Sequence, residues 1–299
     1  IQCLNHDSGR EWTMFHGDCV EVVRQMPDRS VDLIVYSPPF SDLFVYSDSD
    51  RDMGNNANDA AFREQYAFLV PELLRVLRPG RLCIVHCADL PMFLWKHGVM
   101  GLRDFSGELI RAHTAAGFTY RMRVTIWKDP VTEMQRTKAH GLLYKNIRAD
   151  STRNRVGNPD YLLAFKREVD GDESDVLAVT HTSAEFPLDQ WQQWASPVWM
   201  DVNLGDTLNV RAAREGADER HMCPLSLDVI NRVVTLYSNP GEVVLSPFGG
   251  VGSEGVGALR LGRKFVGVEL KVSYFQRACL NLRETEGAEQ LDLFGRASK

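Results

Sequence analysis

Apolar positions along the 299-residue chain alternate between short strand-like runs and longer stretches of helical spacing. Val31-Asp32-Leu33-Ile34-Val35-Tyr36 is β-branched and aromatic, and Ser37-Pro38-Pro39 cuts it off, because consecutive prolines bring no amide donors to a central ladder. The chain must leave a sheet at Ser37. From Ala60 to Leu77, the residues Phe62, Tyr66, Leu69, Leu73, Val76 and Leu77 mark the apolar face of a helix closed by Pro79-Gly80, and Arg81 to Cys87 then predicts a buried strand. Leu102 to Ala116 predicts a helix closed by Gly117; Tyr120 to Trp127 and Tyr161 to Lys166 predict strands; Pro224 to Tyr237 predicts a helix. Glu242 to Leu245 and Lys264 to Glu269 read as strands on either side of a glycine-rich helix. Strands alternating with helices imply an α/β fold, a Rossmann-like, mostly parallel twisted sheet with helices on both faces.

Between Lys128 and Val198 the alternation weakens. Glu168 to Asp175 reads as an exposed acidic loop, and Trp191, Trp194 and Trp199 follow no period. Residues 128–199 are therefore expected to be an insertion, apart from a strand near 160–167. The main domain would comprise 1–127 and 200–285, with 286–299 a flexible tail.

Charge sharpens this division. The net charge of −6 excludes a chain that coats a polyanion over its whole surface, so any such contact must be local. Residues 136–167 hold Arg136, Lys138, Lys145, Arg148, Arg153, Arg155, Lys166 and Arg167 against Asp150 and Asp160, a net +6. The remainder carries −12. Within the basic stretch, Arg136 to Arg155 is the candidate for phosphate contacts, with Gln135, Asn146 and Asn154 able to read base edges.

The six cysteines are scattered, as expected of a reducing compartment, and Cys83, His86 and Cys87 lack a second Cys or His pair at zinc-finger spacing. Cys83 and Cys87 read as buried structural thiols, with no metal expected. No apolar run approaches the roughly 20 residues that span a bilayer, and Ile1 to Trp12 lacks the apolar core of a secretory signal. A cytoplasmic setting, near the nucleoid, is the expectation.

Two motifs carry chemistry. Val243-Val244-Leu245 runs into Ser246-Pro247-Phe248-Gly249-Gly250-Val251-Gly252-Ser253-Glu254-Gly255, a strand, a glycine turn and a helix start, and Glu269 ends the next strand, where its carboxylate can accept ribose hydroxyls. Both S-adenosylmethionine and nicotinamide dinucleotides suit such a unit. Phe248, Gly250 and Gly252 in F-x-G-x-G, and the unit's place near the carboxyl end, favour the methyl donor. The second motif is Ser37-Pro38-Pro39-Phe40. A conjugated amine is a poor nucleophile until acceptors draw its hydrogens out of plane, and the Ser37 hydroxyl and Pro38 carbonyl are two such acceptors. The prolines stiffen the loop, and Phe40 can stack on a flipped base. No cysteine nucleophile is required.

Together these residues resemble the amino methyltransferases of DNA in the permuted order called beta, in which the catalytic tetrapeptide precedes the cofactor glycines. The resemblance implies S-adenosylmethionine as cofactor and double-stranded DNA as substrate. It implies that Gly17-Asp18 lies beside the cofactor adenine, with Asp18 the contact, and that His221 and Pro224 lie beside its methionine part. Where the family commonly has an acidic residue before Pro-Phe, this chain has Ser246. Family members with Ser at the head of the tetrapeptide mostly methylate cytosine N4, and those with Asp mostly adenine N6. Cytosine N4 is thus the expected target and adenine N6 the alternative.

Ser41 to Asp59, rich in Ser, Asp and Asn, is expected to be a mobile loop over the flipped base; it lacks the Gly and terminal Glu of a calcium loop. Gln290-Leu291-Asp292-Leu293-Phe294 looks like the peptide by which bacterial replication proteins grip the sliding clamp, a candidate partner alongside a second copy of the chain. Rival readings are an RNA or protein amide methyltransferase, a nicotinamide-dependent oxidoreductase, which leaves Ser37 to Phe40 unexplained, and a non-catalytic DNA-binding module.

Overall fold

A computed structural model describes residues 1–41, 49, 51–56, 58–137, 144–150, 152, 156–169, 171, 180–209 and 224–296. In chain order its elements are β1 (Asn5–Ser8), β2 (Trp12–His16), α1 (Cys19–Arg24), β3 (Val31–Tyr36), α2 (Asp59–Val76), β4 (Leu77–Cys87), β5 (Leu90–Met92), α3 (Leu94–His97) and β6 (Gly101–Arg103). They continue with α4 (Phe105–Ala115), β7 (Thr119–Ile126), α5 (Pro130–Thr137), α6 (Tyr144–Ala149), β8 (Asp160–Lys166), α7 (Leu188–Trp194), β9 (Val198–Trp199), α8 (Leu227–Tyr237), β10 (Val243–Ser246), α9 (Ser253–Arg260), β11 (Lys264–Glu269) and α10 (Val272–Arg296).

Nine strands form one sheet in the order β1-β2-β11-β10-β3-β4-β8-β7-β9, and β5 with β6 makes a separate hairpin. The run β2-β11-β10-β3-β4 is parallel throughout, whereas β8 is antiparallel to both of its neighbours. The expected mostly parallel sheet is what the chain forms. Because β10 lies between β11 and β3, two segments some two hundred residues apart in sequence, Ser37 and the glycine turn, end side by side.

Alternate residues of a strand face opposite sides of its sheet. Ile34 and Tyr36 of β3, Cys83, Val85 and Cys87 of β4, and Leu163 and Phe165 of β8 pack with α1, α2 and α4. Leu33 and Val35, Ile84, and Leu162 and Ala164 pack with α8, α9 and α10 on the other face. Both faces are thus sealed by apolar residues, and every residue of β3 is buried.

Several expected boundaries shift for identifiable reasons. Pro79-Gly80 does not separate helix from strand: β4 begins at Leu77, and Gly80 at φ 77° donates its amide to the Arg167 carbonyl at 2.7 Å. The register shift between Val31 and Leu33 marks this irregularity in the β3–β4 ladder. The helix expected from Leu102 starts at Phe105, since Asp104 caps it by accepting from Gly107 N, and Gly101–Arg103 pairs with β5 instead. β1 and β2 have no counterpart in the sequence reading, because an exposed edge strand such as β1 lacks apolar alternation.

Within the expected insertion, β9 rejoins the main sheet beside β7, and Trp199 is 1% exposed, with the Arg232 guanidinium 5.2 Å above its ring. Part of the expected mobile loop is packed: Met53 is buried with α1 and α2. The expected tail continues α10 as far as Arg296, and Gln290–Phe294 form part of that helix, their side chains lying outside the description. Among the described residues no helix is long and apolar enough to cross a membrane.

Candidate active site

Four adjacent strands end side by side, each on a residue singled out in the sequence: β2 leads to Gly17-Asp18, β11 ends on Glu269, β10 leads to Ser246-Pro247-Phe248, and β3 leads to Ser37-Pro38-Pro39-Phe40. The carboxyl edge of a parallel sheet is where such folds bind ligands, because the loops there diverge and leave a crevice.

The glycine turn is built on its own backbone and on Glu269. Gly249 N donates to the Val268 carbonyl at 2.7 Å, and Gly250 N to Glu269 Oε2 at 2.8 Å. Gly250 has φ 51°, and a Cβ there would meet nothing within 4 Å, so its backbone borders open space. Gly255, by contrast, is tightly packed: a Cβ would lie 2.5 Å from the Phe265 ring and 2.6 Å from Leu282. Lys271 N donates to Glu269 Oε1 at 2.8 Å. Burial outweighs the Lys271, Gly250 and Leu270 amides and, with Asp52 nearby, raises the Glu269 carboxyl to about 7. Burial raises its neighbour Glu254 to about 8.

Asp18 caps α1, its Oδ1 accepting from Val20 N at 2.8 Å and Glu21 N at 3.2 Å, which leaves Oδ2 on the Arg51 side at 3.9 Å. Ser246 is fully buried at the end of β10, and its hydroxyl has no partner among the described residues. An orphaned buried hydroxyl, a turn open above Gly250 and a two-oxygen acceptor at Glu269 fit a polar adenosine ligand. Pro224 stands just ahead of α8; His221 lies outside the described residues.

Ser37 is half-buried, Pro38 and Pro39 are buried, and Phe40 is held edge to face by Phe105 at 5.9 Å between centroids. Past the tetrapeptide, Ser41 takes φ 50°; its hydroxyl donates to Asp59 Oδ1 at 2.5 Å, and Arg103 donates to the same oxygen at 2.8 Å. This anchor fixes where the loop leaves the site.

The structure adds three residues that the sequence reading did not assign to the site. Ser37 Oγ lies 3.2 Å from His86 Nδ1, His86 Nε2 lies 3.2 Å from Asp160 Oδ2, and Lys128 Nζ donates to Asp160 Oδ1. The signal was present in strand parity. Leu33, Val35 and Ser37 alternate, as do Leu82, Ile84 and His86, and Ala164, Leu162 and Asp160; β3, β4 and β8 are neighbours, so one sheet face carries all three polar residues at one end. Cys83 and Cys87 point to the other face, where burial pushes both thiols up.

Of the basic candidates, Lys145 and Arg148 are exposed on α6, next to exposed Tyr144 and Ile147. Arg136 belongs to α5, with its side chain outside the description; Lys138, Arg153 and Arg155 also lie outside the described residues.

Comparison with known proteins gives a consistent picture. The family model described as DNA methylase (N6_N4_Mtase) matches residues 31–279. Type II methyltransferase M.BamHI of Bacillus amyloliquefaciens is 23% identical over 279 residues, covering 86% of this chain but only 54% of the relative, so the chain spans about half of that protein. DNA adenine methyltransferase YhdJ of Escherichia coli K12 is 24% identical over 285 residues, covering 93% of this chain and 86% of the relative. Among solved structures, the putative DNA modification methylase TTHA0409 of Thermus thermophilus, complexed with S-adenosyl-L-methionine, superposes with a TM-score of 0.64 at 21% identity, covering 91% of this chain and 95% of that one. The cytosine-N4-specific PvuII DNA methyltransferase gives 0.62 at 17% identity, covering 92% and 87%.

Proposed function

Since the chain belongs to the N6/N4 DNA methylase family, we propose that it methylates the exocyclic amine of a base everted from DNA, with cytosine N4 as the target and S-adenosylmethionine as the donor. The observation that carries this reading is the placement of Ser37 at the end of β3, next to the glycine turn that follows β10. This placement supports a shared site for the acceptor groups and the adenosine ligand.

S-adenosylmethionine, when bound, supplies a methyl group on a positively charged sulfur. Glu269 would accept the ribose hydroxyls, Gly250 would let the ligand approach the backbone, Ser246 would give its hydroxyl to a polar group, and Asp18 would meet the adenine. His221 and Pro224 remain candidates for the methionine part.

The everted amine is held by two oxygens of this chain. Ser37 Oγ and the Pro38 carbonyl accept the amine hydrogens, turning the nitrogen lone pair away from ring conjugation and toward the methyl carbon. Because Pro38 and Pro39 restrict the backbone, the acceptors are aimed before the base arrives. Phe40 stacks on the base and, with the hydrogen bonds, offsets an eversion cost of a few kcal/mol. The Arg136 to Arg155 stretch supplies phosphate contacts.

Serine at the head of the tetrapeptide supports cytosine N4. Adenine N6 is the second reading, favoured by the relative named as a DNA adenine methyltransferase. The proposal extends to a sliding clamp gripping Gln290 to Phe294, which pull-down by the intact chain and by one ending at Glu289 distinguishes.

Transfer of labelled methyl from S-adenosylmethionine to PCR-amplified DNA tests the reading. The wild-type chain labels DNA, and Ser37→Ala transfers about 10²–10³-fold more slowly with unchanged donor affinity, the loss typical of one preorganised hydrogen-bonding group. Equal rates for the two chains would contradict it.

A further inference from the structure

We propose that His86 and Asp160 act as positioning residues behind Ser37, with His86 taking the proton that the target amine must lose. The proposal rests on the reading of Ser37 as the acceptor of that amine. Its basis is the unbroken chain Ser37 Oγ to His86 Nδ1, 3.2 Å, and His86 Nε2 to Asp160 Oδ2, 3.2 Å, with Lys128 on the far carboxylate oxygen. The His86 and Asp160 side chains are only 13% and 10% exposed, so the imidazole is fixed between its partners and separated from bulk water.

A serine hydroxyl accepts a hydrogen bond well but is a poor final base. In the transfer, the amine nitrogen forms a bond to the methyl carbon, and the methyl–sulfur bond breaks with its electron pair remaining on sulfur. The nitrogen then carries one proton too many. That proton passes to Ser37 Oγ as the serine's own proton passes to His86 Nδ1, leaving serine neutral and His86 an imidazolium facing the Asp160 carboxylate. Return of the proton to solvent resets the site. A carboxylate hydrogen-bonded to one imidazole nitrogen fixes the proton there and leaves the other nitrogen bare, which is the tautomer this transfer needs.

Asp160 is suited to that role. Burial alone would raise its carboxyl, but His86 and Lys128 outweigh burial and hold it at about 2, so it stays ionised. The groups facing His86 are Ser37 from the end of β3, Asp160 from β8 and, behind Asp160, Lys128 beyond β7. On its own strand Cys87 faces the opposite side of the sheet, and its buried thiol is acted on by Asp160, Asp89, Arg123 and Asp104.

Two measurements on the full chain test the relay. In the ligand-free protein, long-range proton–nitrogen NMR reads the His86 tautomer: a proton on Nε2 with Nδ1 bare is expected, and a proton on Nδ1 would overturn the proposal. In single-turnover transfer to PCR-amplified DNA across a pH series, His86→Gln and Asp160→Asn should each slow the reaction on the order of 10²-fold. Donor and DNA affinity should be unchanged, and the wild-type fall in rate on acidification should vanish in His86→Gln. A variant that keeps the wild-type rate and acidic limb would show that His86 is only structural. If His86→Gln does not fold, the tautomer decides. Absence of transfer by the wild-type chain would instead overturn the methyltransferase reading, so the two failures are distinguishable.

Discussion

The Phe248 ring of the glycine turn lies 5.6 Å from the Tyr36 ring, centroid to centroid, with their planes tilted by 43°. Tyr36 is the residue immediately before Ser37. Its buried hydroxyl is 2.6 Å from that of Tyr66 and 3.2 Å from His113 Nε2. The two loops of the site are therefore held to each other by an aromatic contact and to α2 and α4 by a buried polar network. Burial drives His113 down to about 4, so this network is built on a neutral imidazole.

Ligand-free stability should fall as pH rises through the neutral range. Glu254 and Glu269 are raised by burial to about 8 and about 7 from an ordinary value of 4.5, so the folded chain binds protons more tightly than the unfolded chain does. The stability these groups contribute is complete below 4.5 and is lost as pH climbs through their folded values. Asp160, held at about 2, loses its own contribution only in the acid range below its ordinary value and stays out of this window. Thermal midpoints from about pH 5 to about pH 8.5 should decline, and Glu254→Gln should flatten the decline. The same slope in variant and wild type would contradict the assignment.

Much of this arrangement is legible before the fold is known. Proline pairs and glycine turns are strong local signals, because Pro38, Pro39, Gly250 and Gly252 restrict or release the backbone whatever surrounds them. The central strands declare themselves through unbroken apolar runs, as in Val31–Tyr36. What escapes is whatever depends on strand order. His86 and Asp160 lie far apart in sequence and join Ser37 only because β3, β4 and β8 are neighbours with matching parity. The edge strands β1 and β9 escape for a different reason: one is exposed and the other only two residues long.

Substitution at two glycines of the turn should separate packing from binding. Gly255→Val drives methyls into Phe265 and Leu282 and should lower stability by about 1–3 kcal/mol, with the donor site otherwise intact. Gly250→Ala meets no neighbour and should cost only about 1 kcal/mol for its left-handed backbone, yet weaken S-adenosylmethionine by blocking the open side of the turn. Calorimetric affinity and denaturant midpoints, measured on both variants, check this. Unchanged affinity in Gly250→Ala would contradict the placement of the ligand.

Exposed Lys145 and Arg148 on α6 are expected to meet phosphates. Replacing both with alanine should weaken DNA binding and reduce the slope of log affinity against log salt by about 1.8, close to 0.9 for each lost phosphate contact. Fluorescence anisotropy over a salt series reads that slope, and an unaltered slope would remove α6 from the interface.

The most direct test of the central claim is the chemical identity of the product. Unmethylated DNA is treated with the chain and S-adenosylmethionine, then digested to nucleosides and resolved by mass spectrometry. The account predicts N4-methylcytosine, formed about 10²–10³-fold more slowly when Ser37→Ala replaces the wild-type chain. DNA carrying only N6-methyladenine would contradict the choice of base, and DNA carrying no new methyl group would contradict the account as a whole.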